Sequence, residues 1–194
     1  MLELDKYRAR MVDSEDLVFV NKLRLSTHVQ ENVGSHLFTN DILQKNWLEN
    51  VSKSTKDKYL IFETKIASNH LAKPEELWQK IGLIRLNDID FINRSVCVGG
   101  DIGLEFIGKG HSKIMYQIIC KICFEIWGMN RIWLLVLEGN IRAKNLYHKL
   151  NFYQEGIMRK AIFKNGKFED YILMSMLEED YYKNNNIYSS VAMV

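Results

Sequence analysis

Residues 107–112 read IGKGHS, with one glycine on each side of a lysine. They follow an apolar, β-rich segment and precede apolar residues at helical spacing. A helix N-terminus has unpaired backbone N–H groups and partial positive charge, and glycine lets a bulky anion approach them. The turn therefore predicts a phosphate site. The alternative is a tight turn with no ligand, because the spacing is neither the dinucleotide motif nor the P-loop.

A second candidate group follows the apolar segment RIWLLVLE. Asn140 comes at the end of this predicted strand, and Tyr147 lies seven residues later on the predicted helix NIRAKNLYHKL. Seven residues are two helical turns, so both side chains lie on one face. On these residues alone, Tyr147 is interpreted as a tyrosine of an amphipathic helix whose ring packs in the core.

Together, IGKGHS and RIWLLVLEGNIRAKNLYHKLNFYQEG resemble the GNAT (Gcn-type N-acetyltransferase) superfamily over roughly residues 81–177. The resemblance implies that the turn binds the pyrophosphate of acetyl-CoA, the co-substrate. It also implies that Asn140 contacts the pantetheine arm and that Tyr147 is the general acid. Ile107 and Ser112 depart from the superfamily's loop pattern. The expected cofactor-binding residues are Ile102, Ile107, Gly108, Lys109, Gly110, His111, Ser112 and Asn140.

The chemistry that the resemblance implies is direct attack of a primary amine on the acetyl thioester. A strand bulge at 99–101 is expected to point a backbone N–H at the carbonyl. Asp101 and Glu105 are the candidate bases, with solvated loop carboxylates as the alternative. No metal is expected, and the histidines outside the loop are interpreted as surface or packing residues: His28, His36, His70 and His148.

The acceptor is expected to bind the first two helices and the loop between them. Acidic and basic residues balance in this region, whereas a polyamine should require an excess of carboxylates. We therefore expect a nucleotide-linked amino sugar. The alternatives are a polyamine or protein N-terminal acetyltransferase and, from another class, a non-catalytic GNAT-fold module that binds CoA or a partner. The charges compared are Glu31, Asp41 and Glu49 with Lys22, Arg24 and Lys45.

The pattern of elements predicts an α/β (α+β) fold. A mostly antiparallel sheet of about seven strands should be flanked by four main helices. Residues 1–177 should form a single domain followed by a polar tail, 178–194. The insertion at 66–80 should add a short helix between strands 2 and 3, and Asn165-Gly166 should turn a hairpin.

Composition sets limits on the partners. The 26 basic and 24 acidic residues give a net charge of +2. This balance argues against a nucleic acid or an anionic membrane as partner. The charged N-terminus, MLELDKYRAR, is unlike a signal peptide, so we expect a cytoplasmic protein. The odd count of three cysteines argues against a disulfide framework, and the pair in CKIC, Cys120 and Cys123, should pack in the core. A small-molecule amine is the expected partner, with a homodimer left open.

Overall fold

The computed structural model describes residues 1–33, 40–66 and 78–184. In these ranges eight strands form one sheet in the order β1-β2-β3-β4-β5-β6-β8-β7. All neighbouring strands are antiparallel except β5 and β6, which are parallel. The strands are Leu2–Leu4, Tyr7–Met11, Lys58–Lys65, Trp78–Asp90, Ser95–Ile102, Arg131–Leu137, Tyr153–Lys164 and Lys167–Leu177.

Six α-helices accompany the sheet in the described ranges. Helix α4 continues through a π-helical segment, Lys121–Ile126. Short 3-10 turns precede α1 and follow β5, at Ser14–Asp16 and Leu104–Phe106. The α-helices are α1 Leu17–Arg24, α2 Thr27–Gln30, α3 Asp41–Lys53, α4 His111–Cys120, α5 Ile141–Lys149 and α6 Glu178–Asn184.

Two apolar clusters cover the two faces of the sheet. On one face, buried residues of α4 such as Ile118 and Ile119 pack against Val96 and Val98 of β5. On the other face, Val29 of α2 joins residues of α1, β3 and β4 in a smaller cluster. Helix α4 therefore lies on one side of the sheet, while α1 and α2 lie on the other.

The predicted mixed, mostly antiparallel fold is confirmed, with differences at the ends. The first predicted strand is two strands, because Asp5 takes a left-handed conformation (φ 53°) and turns the chain between β1 and β2. This hairpin accounts for the eighth strand. The predicted tail begins with a helix, α6, and residues 185–194 lie outside the described residues.

The predicted insertion at 66–80 falls mostly outside the described residues. The predicted end of the insertion is wrong. Residues 78–80 belong to β4, which begins at Trp78, and Trp78 pairs with Lys65 of β3. The predicted hairpin is confirmed. Asn165 and Gly166 both have positive φ, 51° and 79°, as a two-residue type I′ turn requires. Cys120 and Cys123 are buried free thiols, as predicted.

Candidate active site

Strands β5 and β6 diverge at the centre of the sheet. Their parallel pairing covers three residue pairs and ends at Cys97 and Trp133. Beyond these residues a cavity of about 700 Å³ is lined by Val98–Ile102 on one strand and by Leu135 and Val136 on the other. Among the described strands, none pairs with the edge of β5 that faces β6 there. Its backbone polar groups are therefore free to contact a ligand.

The glycine turn forms the entrance to α4. Gly108 and Gly110 have φ values of 79° and 84°, a region that favours glycine. Gly110 caps α4 and has no side chain to bond the first N–H groups of the helix. Gly108, Gly110, Ser112 and Lys113 line the cavity. The turn therefore offers backbone N–H groups and one cation, which is the donor set that a phosphate requires.

The predicted pair on α5 also reaches the cavity. The Asn140 side chain accepts a hydrogen bond from the Ala143 amide (3.1 Å) and so caps the helix. Two turns later, the Tyr147 hydroxyl lies 2.9 Å from the hydroxyl of Tyr116 on α4. Asn151 ends the helix with φ 66°, as expected of an asparagine in place of a glycine cap. Asn140, Tyr116 and Tyr147 all line the cavity.

The two tyrosines stay protonated at neutral pH. Burial raises the pKa of Tyr147, and the hydrogen bond from Tyr116 acts in the opposite direction. Burial also raises the pKa of Tyr116 well above its ordinary value. When Tyr116 is the hydrogen-bond donor to its oxygen, Tyr147 can donate a proton into the cavity.

Asp101 lies inside the cavity as an ion-paired carboxylate. It is 7% exposed, and its oxygens lie 2.6 Å from Arg24 Nη1 and 3.2 Å from Arg85 Nη2.

Gly99 and Gly100 have close neighbours. A Cβ added at Gly99 would lie 3.0 Å from the same Arg85 nitrogen, and one at Gly100 would lie 2.1 Å from Met115 Cε. These glycines therefore make room for neighbours on opposite faces of the sheet.

The predicted bulge at 99–101 is wrong. Residues 99–102 of β5 pair in regular register with β4, and the irregularity lies between Asn87 and Asp90. The glycines are required by the close approach of Arg85 and Met115, which removes the need for a bulge. The open edge of β5 offers carbonyl-polarising N–H groups without one.

Most of the predicted site residues line the cavity. Glu105 does not: it is exposed on the 3-10 turn after β5. His111 turns instead to the Tyr7 hydroxyl, 2.9 Å away, and Lys109 lies over the Phe106 ring. Burial, followed by Lys6 and Lys109, lowers the pKa of His111. The predicted residues that line the cavity are Asp101, Ile102, Ile107, Gly108, Gly110, Ser112, Asn140 and Tyr147.

Several lining residues were missed at the sequence level. Arg85 interrupts the apolar segment IGLIRL, which is a usable signal, because a buried arginine in a strand requires a partner. Tyr116 carries no such signal, since it fits the apolar face of α4. The missed polar lining residues are His28, Asn32, Arg85, Asn87, Lys113, Tyr116, Arg142, Asn145, Lys149 and Tyr171.

Two curated relatives of this chain are N-acetyltransferases. A spermidine N(1)-acetyltransferase of Vibrio cholerae is 32% identical over 101 residues, 52% of this chain and 58% of that protein. A putative ribosomal N-acetyltransferase of Bacillus subtilis is 28% identical over 100 residues, 52% of this chain and 55% of that protein. The chain thus spans somewhat over half the length of these curated relatives. No protein-family model matches the chain.

Solved structures share the whole fold. The crystal structure of a Vibrio cholerae spermidine N-acetyltransferase in complex with CoA and spermine has a TM-score of 0.80 at 22% identity, covering 92% of this chain and 99% of that one. The chain therefore has the GNAT fold, and the predicted resemblance to this superfamily is confirmed. The expected amino-sugar acceptor gains no support from these relatives.

Among the described residues, no group of three or more histidine, cysteine, aspartate or glutamate side chains could hold a metal ion. No helix in the described ranges is both long and apolar enough to cross a bilayer.

Proposed function

We propose that this chain is an acetyl-CoA-dependent N-acetyltransferase that acts on a primary amine. The observation that carries the proposal is the position of Tyr147, in the cavity that opens where β5 and β6 separate. A protonated phenol, unpaired strand edges and an anion-binding turn meet in this one cavity. That combination suits transfer of an acyl group from a long phosphate-bearing thiol.

The lining residues fit acetyl-CoA in charge and shape. Lys113, Arg142 and Lys149 supply cations near the N-terminus of α4 and along α5. Phosphate groups would bind these cations and the backbone N–H groups of the turn at 108–112. The extended pantetheine arm would lie between the separated strands, where it can bond the open edge of β5.

Acetyl-CoA supplies the acetyl thioester, and this chain's groups have distinct tasks around it. Backbone N–H groups on the open edge of β5 bind the thioester oxygen where negative charge develops. The Tyr147 hydroxyl donates its proton to the departing sulfur. Tyr116 then donates to the Tyr147 oxygen and stabilises it. Neither task requires movement of the sheet.

For the acceptor, we propose a polyamine first. This assignment replaces the amino sugar, because the Vibrio cholerae relatives act on spermidine or bind spermine by name. A polyamine presents an aliphatic primary amine that can enter a narrow cavity end-on.

A second acceptor class, the α-amine of a protein N-terminus, is favoured by the charge of the cavity. Among the described lining residues, Asp101 is the one carboxylate, and it already pairs with two arginines. An acceptor with several positive charges gains little from such a wall. The putative ribosomal N-acetyltransferase among the relatives is consistent with this class.

Calorimetric titration with acetyl-CoA, followed by thiol release with a panel of amines, tests the proposal. The panel contains spermidine, a peptide with a free N-terminus and a nucleotide-linked amino sugar. Turnover with spermidine alone supports the first acceptor, and turnover with the peptide supports the second. Binding without turnover on any amine would contradict the enzyme and favour a non-catalytic module. The homodimer and the cytoplasmic location stay predictions.

A further inference from the structure

His28 occupies an unexpected place for a residue interpreted as surface or packing. It lies on the single-turn helix α2, and its Nε2 is 2.8 Å from the carbonyl oxygen of Ile102 at the end of β5. The side chain also lines the cavity. His28 therefore contacts β5 at the residue that follows Asp101, on the side of the sheet covered by α1 and α2.

The carbonyl contact selects the tautomer of the ring. A carbonyl oxygen can only accept, so Nε2 carries the hydrogen and donates it. In the neutral ring, Nδ1 is then the lone-pair acceptor. Within the described part of the chain, Nδ1 makes no hydrogen bond. The ring thus has one nitrogen anchored to the strand and the other available to accept a proton.

Asp101, the expected base, is less suited to the same task. Both of its oxygens already accept from guanidinium groups, of Arg24 on α1 and Arg85 on β4. Protonation of this carboxylate would break two charge-assisted bonds at a site almost closed to water. Its geometry commits both oxygens to the two arginines that it orders.

We propose that His28 is the group that removes the proton from the acceptor ammonium. This inference rests on the proposed N-acetyltransferase function. One proton moves from the ammonium nitrogen to Nδ1, and the lone pair that is freed forms the C–N bond as the C–S bond breaks. The sulfur takes the proton of Tyr147, and the second proton lost by the nitrogen restores that phenol. The net proton leaves from His28 to solvent.

Charged and titratable groups surround α2 from each element packed against it. Arg24 and Asp101 form an ion pair beside it, and the Lys164 ammonium donates to the carbonyl oxygens of Gln30 and Val33, each at 2.5 Å. The titratable groups that line the cavity together with His28 are Arg85 on β4, Asp101 on β5, Lys113 and Tyr116 on α4, Arg142, Tyr147 and Lys149 on α5, and Tyr171 on β8.

The test is the pH dependence of kcat/KM in the wild type and in His28→Gln. Imidazoles change charge between about pH 5 and 8, so the wild type should show an acid limb in this range. Glutamine keeps an N–H donor for Ile102 but cannot take a proton. His28→Gln should therefore lose the limb and about 100-fold in kcat/KM near neutral pH, with unchanged affinity for acetyl-CoA. Asp101→Asn should keep the limb.

Three outcomes separate the possibilities. An unchanged limb in a folded His28→Gln variant, or its loss in Asp101→Asn alone, would overturn the role of His28. If the His28→Gln variant does not fold, the pH profile of the wild type tests the role of His28. A wild-type rate that only follows the fraction of free amine also overturns that role. A wild type that turns over none of the amines contradicts the proposed function itself, and the role of His28 with it.

Discussion

The hydroxyls of Tyr147 and Tyr116 lie 2.9 Å apart and join α5 to α4 across the cavity. The two rings meet edge to face, with centroids 5.2 Å apart, so both their orientation and their separation are set by packing. Burial raises the pKa of Tyr147, and the bond from Tyr116 lowers it. The hydrogen bond therefore keeps the pKa of Tyr147 below the value that burial alone would give it.

Tyr147→Phe should reduce thiol release by about 100-fold or more, because it removes the proton donor for the leaving sulfur. Affinity for acetyl-CoA should stay within about twofold, since the ring remains in place. Steady-state thiol release and calorimetric titration check these two results. Tyr153→Phe is the matched control, because Tyr153 is 59% exposed on β7. Equal rates in wild type and Tyr147→Phe would remove Tyr147 as the acid.

Tyr116→Phe should shift the basic limb of kcat to higher pH. The hydrogen bond from Tyr116 lowers the pKa of Tyr147, so its loss lets burial raise that pKa further. An acid must be protonated to act, and a higher pKa extends its protonated range upward. The weaker acid should also turn over more slowly at the plateau. A limb that moves to lower pH would contradict this role of Tyr116.

Arg142→Ala should weaken the binding of acetyl-CoA by about fivefold, roughly 1 kcal/mol, because a cation in the cavity wall is lost. Lys144→Ala is the control. It removes the same charge from the same helix at a position that does not line the cavity. Titration at low and high salt checks the result, since the difference should shrink as salt screens the charge. Equal weakening in both variants would indicate a general charge effect.

Asp16 should make folding sensitive to acid. Burial acts to raise its pKa, but hydrogen bonds with Arg10, Lys80 and the Asp13 amide outweigh it and hold the pKa at about 2, below the ordinary 3.8. A lowered folded-state pKa stabilises the protein above about pH 4, and this stability is lost as the pH falls toward 2. Asp16→Asn should lose about 2 kcal/mol near neutral pH and less near pH 2.

Urea unfolding at both pH values measures these free energies. Glu49→Gln is the control, because Glu49 forms an ion pair with Lys53 at the surface. The side chain of Glu49 is 63% exposed and that of Lys53 is 71% exposed. The free energy of unfolding of Glu49→Gln should equal that of the wild type within the error of the measurement, because a surface ion pair contributes little. A destabilisation by Asp16→Asn that does not change with pH would show that packing, rather than charge, explains the loss.

The elements that local chemistry specifies were predictable from the sequence. Positive φ at Asn165 and Gly166 follows from the residue types, as does the cap of α3, where Asn40 accepts from the Leu43 amide. The family resemblance singled out Asn140 and Tyr147, helical spacing placed them on one face, and both line the cavity. These features depend on a few neighbouring residues, so the sequence carries them directly.

Features that depend on distant residues were not predictable. His28 and Ile102 are 74 positions apart in the sequence, and Arg24 and Asp101 are 77 positions apart. A local sequence pattern therefore cannot predict these two contacts. The glycines at 99 and 100 illustrate the same limit. Their sequence suggested a bulge, whereas the cause is the approach of Arg85 from β4 and Met115 from α4.

Transfer of an isotope-labelled acetyl group tests the central claim most directly. The wild-type chain would be incubated with labelled acetyl-CoA and each amine, and the products read by mass spectrometry. We predict one labelled acetyl group on a primary amine of spermidine or of the peptide, and about 100-fold less labelled product when Tyr147→Phe replaces the wild type over the same time. Acetyl-CoA that binds but leaves every amine unlabelled would contradict the account.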